Sequence, residues 1–205
     1  MYFDPKDGMK PPPFTHTVYN ALVVPRPIGW ISTISTDGVI NLAPFSFFNL
    51  LCSEPPMVMF AANGKHPHGH KDSIVNVEAT GEFVCNLVSE ALGAQMNATS
   101  ASVSSDTDEF DLAGLETEPS ELVKPPRVKA SPIHLECTFH GTMELPSNDP
   151  KSRNVICVGR VIGIHIRDDV LKDGIIDIES IRPLARLGYR DYTVIEKVIS
   201  MSRPK

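Results

Sequence analysis

Two stretches constrain this chain most: IHLECTFHGTMEL, Ile133 to Leu145, and NVICVGRVIGIHIR, Asn154 to Arg167, joined by the polar PSNDPKSR. Both read as long strands. Shorter strand signals precede them. YNALVV (19–24) is stopped by Pro25 and Pro27. Ile28 to Thr36 alternates small polar residues with apolar ones, as a half-buried strand does. Asp37-Gly38 then supplies a hairpin turn, because glycine accepts the positive φ that such turns demand, and a returning strand runs to about Leu42. MVMFAA (57–62) and EFVCNLV (82–88) complete the set. Helical signals are short and inserted: DSIVNVEAT, with Asp72 or Ser73 near its N-cap, SEALGAQMNATS from Ser89, and one turn near Phe110 within a polar excursion at 101–126. No strand–helix–strand alternation occurs. The expectation is a mainly β, closed or nearly closed antiparallel barrel rather than a doubly wound sheet.

The chain has 205 residues, 41% hydrophobic and 21% charged, with a net charge of −6. That fits one domain, here 19–205, preceded by an extended arm, 1–18, carrying Pro11 to Pro13. No basic stripe is present, which argues against a nucleic-acid binder. No run of 18 apolar residues exists, so no membrane span is expected. The N-terminus lacks a signal-peptide pattern, and the expected location is cytoplasmic. Cys52, Cys85, Cys137 and Cys157 form no CxxC and read as reduced, buried thiols, with a catalytic or metal role as the alternative.

Three patches could carry chemistry. NLAPFSFFNLLCSEPPMV, Asn41 to Val58, mixes small polar groups with three phenylalanines, and RPIGWIST, Arg26 to Thr33, flanks the same hairpin. Together they suit a flat, partly polar ring, or simply an ordinary barrel core with satisfied hydroxyls. KHPHGHKDS, Lys65 to Ser73, places two lysines and three histidines before a helix start, where free N–H groups and the helix dipole attract anions. A phosphate, a solvated loop, or a metal on His66, His68 and His70 are the readings, and no nearby cysteine or acid completes a zinc set. PLARLG, Pro183 to Gly188, offers Arg186 to an acid or to a ligand.

No GxSxG, HExxH or partnered cysteine appears, and GRVIG at Gly159 lies inside a strand, so no Rossmann fingerprint exists. A ring pocket and an anion site without a nucleophile suggest that a cofactor carries the chemistry. Taken in order, RPIGWIST, the Asp-Gly hairpin, NLAPFSFFN, the prolines and apolar strand, KDS opening a helix, GEFVCNLV and PLARLG resemble the flavin reductase-like family with the FMN-binding split-barrel fold.

The resemblance implies an antiparallel Greek-key split barrel that forms a homodimer and binds one FMN per subunit. By that likeness Trp30, Ile31, Ser32 and Thr33 lie against the flavin, and Ser46, Phe47, Phe48 and Asn49 contact it. His70, Lys71, Asp72 and Ser73 match the phosphate clamp, with Ser73 in place of threonine and His70 in place of arginine. Lys65 or His68 would compensate for that arginine. Arg186 matches a family arginine near the C-terminal motif. The implied activity is NADH- or NADPH-dependent flavin reduction, with electrons passing to free flavin or to a partner monooxygenase. The catalytic residues are unassigned, with His134, His140 and His165 as candidates for facing the nicotinamide. A non-enzymatic FMN electron carrier and an FMN-free interaction module are the competing readings.

Overall fold

The computed structural model describes residues 1–64, 66 and 69–204. Seven strands form the main sheet: β1 (Gly29–Ile34), β2 (Ile40–Phe45), β3 (Phe48–Ser53), β4 (Pro56–Ala62), β5 (Glu82–Asn86), β6 (Ile133–Leu145) and β7 (Asn154–Ile166). They pair antiparallel in the order β2-β1-β5-β6-β7-β4-β3. The two edge strands, β2 and β3, are consecutive in the chain and separated only by Ser46 and Phe47. A sheet whose two edges are chain neighbours has to curl round on itself. The Ala61 N–H donates to the Phe47 carbonyl at 2.7 Å, which carries the β3–β4 ladder up to that seam. Phe48 closes it from within: a Cβ on Gly29 would lie 2.5 Å from the Phe48 ring, so only glycine lets β1 approach there. The fold is therefore an antiparallel split barrel.

Two apolar layers stabilise it. Ile31, Phe45, Phe60, Phe83, Cys137 and Cys157 fill the barrel interior. Trp30, Leu42, Val88, Met96, Phe110 and Val128 form a second layer outside β1 and β2. That outer layer is closed by α2 (Gly93–Ala98) and α3 (Glu109–Ala113), both short. Helix α1 (Asp72–Thr80) packs Ile74 and Val77 into the inner layer. The C-terminal segments β8 (Leu184–Arg186) and β9 (Tyr192–Val194) pair with each other, and β8 pairs with Arg26–Pro27.

The two long strands stand where the sequence places them. Other expectations change. Residues 19–24 are not a strand: Tyr19–Leu22 is one helical turn. The Asn20 and Val23 carbonyls, which a strand would give to a neighbour, instead accept from the Arg26 guanidinium. β1 is buried on both faces rather than half-buried, because the helices and the excursion cover its outer side. β2 runs past Leu42 to Phe45, with Pro44 tolerated because an edge strand can spare an N–H. Three cysteines are buried, but Cys52 is exposed on β3.

Candidate functional site

A cleft opens at the barrel seam. Its inner chamber, about 210 Å³, lies between Asn41–Phe47, Ala61–Asn63, the start of α1 and residues 99–103. Its outer chamber, about 550 Å³, is walled by Ile28, Met96, Asn97, Arg186, Arg190 and Tyr192. Pro44, Ser46 and Ser100 belong to both walls, so the chambers communicate. Together they have the size of a small-molecule site, roughly 300–1,000 Å³.

The inner end is built for an anion. Lys71 caps α1 in an extended conformation, and its carbonyl takes the Ile74 and Val75 N–H groups at 2.9 and 3.1 Å. The N–H groups of Asp72 and Ser73 find no acceptor among the described residues. They are the unsatisfied donors expected at a helix start, and Lys71 lines the same chamber. His66 also lines this chamber. Asp72 is the first-turn acid that a helix N-terminus favours.

Behind the wall lies a buried polar network. Ser73 donates its hydroxyl proton to Asn41 Oδ1 at 2.8 Å, and Thr33 donates to the same oxygen at 3.3 Å. Asn76 donates to the Thr33 hydroxyl at 3.1 Å. Asn41 Nδ2 and the Leu42 N–H donate to the Glu109 carboxylate at 2.8 and 3.0 Å. Burial raises the Glu109 pKa, the Leu42 N–H and Asn41 amide oppose that shift, and the Asp72 charge adds to it. The network holds β2, α1 and α3 in one arrangement around the inner chamber.

The residues singled out in the sequence divide into three groups. Ser46, Phe47, Lys71, Asp72 and Ser73 come together on the inner chamber, and Arg186 lines the outer one. Trp30, Ile31, Ser32 and Thr33 stand behind the cleft, fully buried. The Trp30 indole donates to Thr99 at 2.9 Å, Ser32 donates to the Pro126 carbonyl at 2.5 Å, and Thr33 serves the network. These side chains position the wall and present no surface to the cleft. Phe48, Asn49 and His70 point elsewhere. Phe48 lines a separate apolar cavity, Asn49 is exposed with its amide oxygen on the Leu50 N–H, and His70 borders a shallow recess with Arg153.

Lys65 and His68 lie outside the described residues, and with them the three-histidine metal reading. His134, His140 and His165 line neither chamber. His134 and His165 sit together on the outer face, and burial pushes His134 down to about 4. Sequence reasoning counted Asn41 among the polar groups of its patch without a role, and missed Asn76, Glu109 and Arg190. Nothing local signals Glu109, because its partners are 67 and 68 residues away.

The match to the flavin reductase like domain covers residues 21–190, so the chain belongs to that family. An uncharacterized protein of Aquifex aeolicus is 40% identical over 172 residues, 83% of this chain and 85% of that one. The solved structure of nitrilotriacetate monooxygenase component B from Bacillus cereus superposes with a TM-score of 0.87 at 25% identity, covering 98% of each chain. Flavoredoxin of Desulfovibrio vulgaris (Miyazaki F) shares the fold, with a TM-score of 0.76 at 19% identity over 88% of this chain and 92% of that one. Among the described residues, no helix is long and apolar enough to cross a membrane.

Proposed function

We propose that the chain binds FMN in the two-chambered cleft and acts as an NAD(P)H-dependent flavin reductase, passing electrons to free flavin or to a partner oxygenase. The observation that carries this reading is the continuity of the cleft. One end presents a helix start with a lysine, and the other a larger chamber walled by Tyr192, Arg186 and Arg190 with room for a second molecule. The residues fit FMN. Lys71 and the Asp72 and Ser73 N–H groups would hold its phosphate, which carries close to two negative charges. Phe45, Phe47 and Pro44 offer apolar surface to the ring system, and Ser46 stands where the chambers join. FMN, when bound, supplies the hydride and electron chemistry. The chain binds, orients and excludes water, with residues 99–103 covering the inner chamber.

The component B and flavoredoxin neighbours support a flavin-linked role, and component B is consistent with a partner oxygenase. The same cleft would serve an electron carrier. The outer chamber favours the reductase, because a carrier needs no second small-molecule site. A homodimer fits the exposed edge strand β3, where Leu50 and Leu51 are 68% and 51% exposed and call for a covering surface.

Purified protein should be yellow, and the FMN-loaded form should oxidise NADH or NADPH. Absence of oxidation with both would leave the carrier reading in place. Lys71→Glu should weaken FMN binding about 100-fold by setting a like charge at the phosphate. Unchanged affinity in a flavin titration would remove the phosphate from this end of the cleft.

A further inference from the structure

The outer chamber carries its own charge logic. Arg186 and Arg190 line it, and among the described residues no Asp or Glu does. Arg186 is fixed at two points: its guanidinium donates to the Tyr189 carbonyl at 2.5 Å and stacks over the Tyr192 ring at 4.4 Å. Arg190 follows in the same turn, exposed, with no hydrogen bond or ion pair among the described residues.

A third arginine stands behind them. Arg26 is paired across the strands with Arg186 and is buried. Among the described residues its guanidinium donates only to neutral oxygens: the Asn20, Val23 and Leu187 carbonyls and, at 3.5 Å, the Ser46 hydroxyl. Burial and the nearby Arg186 both disfavour its charge. A buried guanidinium without a counterion is costly, and an anion placed close by relieves it.

The turn is also held rigidly. Gly188 abuts Ala21, where a Cβ would come within 2.4 Å, so the arginines project from a preset loop. Preset donors lose little freedom on binding.

We propose that the outer chamber is a second anion site, separate from the Lys71 end, that receives the pyrophosphate of a dinucleotide co-substrate through Arg190 and Arg186. This assignment rests on the flavin reductase reading for its co-substrate. Two anion sites at opposite ends of one cleft allow cofactor and co-substrate to be held together. Arginine suits the task because its planar fork matches phosphate oxygens in pairs.

The test is calorimetric titration of the FMN-loaded protein with adenosine diphosphate ribose. This probe carries the pyrophosphate and cannot donate a hydride, so the result is independent of whether the chain oxidises NADH. Arg190→Gln should weaken its binding roughly tenfold, and Arg186→Gln with Arg190→Gln roughly 100-fold. Arg190→Lys should recover part of the loss by restoring charge without the fork. Added salt should weaken binding to the native chain more than to the double variant.

Equal binding by native and double-variant protein would overturn the proposal, as would no binding to the native protein. A parallel loss of FMN affinity would also overturn it, by showing that the chamber holds the cofactor's own phosphate. If NADH is oxidised, the ratio of its KM to that of uncharged 1-benzyl-1,4-dihydronicotinamide should rise about tenfold in Arg190→Gln. A ratio within about twofold of the native value would count against the site.

Discussion

Two buried carboxylates pin the excursion at 101–126 to the barrel, and they do so in opposite ways. Glu109 sits on the excursion and reaches back to the Asn41 amide and the Leu42 N–H of β2. Glu136 sits on β6 and accepts from the excursion, taking the Glu121 and Leu122 N–H groups at 2.8 and 2.6 Å. Glu136 also accepts from His165 Nε2 at 2.5 Å, whereas among the described residues Glu109 has no cation on it and has Asp72 nearby. Burial opposes the Glu136 charge, but the two N–H groups and His165 outweigh it and hold its pKa below the ordinary value. At Glu109 burial prevails and the pKa rises. One staple is electrostatically satisfied and remote from the cleft. The other keeps its charge against burial without a cationic partner among the described residues, and it lines the cleft. The contrast separates an attachment that serves the fold from one that shapes the site.

The largest expected effect comes from cutting the satisfied staple. Glu136→Ala leaves two buried N–H groups and His165 without their acceptor. The cost should be about 3–5 kcal/mol, or on the order of 10 °C in Tm. Thermal and urea unfolding measure it. A loss under about 1 kcal/mol would mean that the excursion is held mainly by apolar packing at Phe110 and Val128. FMN affinity should change far less than stability does.

Glu109→Gln sharpens the comparison from the other side. Glutamine has one acceptor oxygen for two donors, and its amide meets a donor head-on. Stability should fall by about 2 kcal/mol. Flavin affinity should fall with it, because Asn41 and Glu109 itself line the inner chamber. The pH dependences of the Glu136→Ala and Glu109→Gln effects should carry opposite signs. Glu136 has a lowered folded pKa, so its contribution is present above the ordinary carboxylate value and lost as pH falls. Glu109 has a raised folded pKa, so its contribution is present below the ordinary value and lost as pH rises through the folded one. His134, at about 4 when folded against 6.5 otherwise, adds a loss between those values as pH falls. That loss is common to both variants and cancels in the difference between them. Tm differences from the native chain that slope the same way for both would refute the assignment of signs.

These staples also mark where sequence reading stops. The long hairpin β6–β7 was legible because its period and its polar connection are local properties. Helix α1 was legible for the same reason, with Lys71 and Ser73 at its start. The seam at Ser46–Phe47 was half legible: the mixture of serine and phenylalanine signals a site, but nothing in it says that β2 and β3 are opposite edges of one sheet. RPIGWIST reads as a wall of the pocket because its hydroxyls look available. In the fold those hydroxyls are taken by the Pro126 carbonyl and by Asn41. Availability depends on partners that are distant in the chain, and so does the role of Glu109.

The smallest expected effect tests that point directly. Ser73 resembles a phosphate-binding serine, yet its hydroxyl proton is committed to Asn41 Oδ1, and the side chain is 1% exposed. If the hydroxyl serves the network, Ser73→Ala should cost about 1 kcal/mol of stability, the usual worth of one neutral hydrogen bond. Asn41 Oδ1 keeps its weaker contact from Thr33, which limits the loss. The backbone N–H at position 73 survives the change, so FMN affinity should fall by less than about threefold, far below the Lys71→Glu effect. An unaltered Tm with a tenfold or greater loss of FMN affinity would reverse the assignment. The hydroxyl would then turn toward the phosphate on binding, and the network behind the cleft would hold on the Thr33, Asn76 and Glu109 contacts.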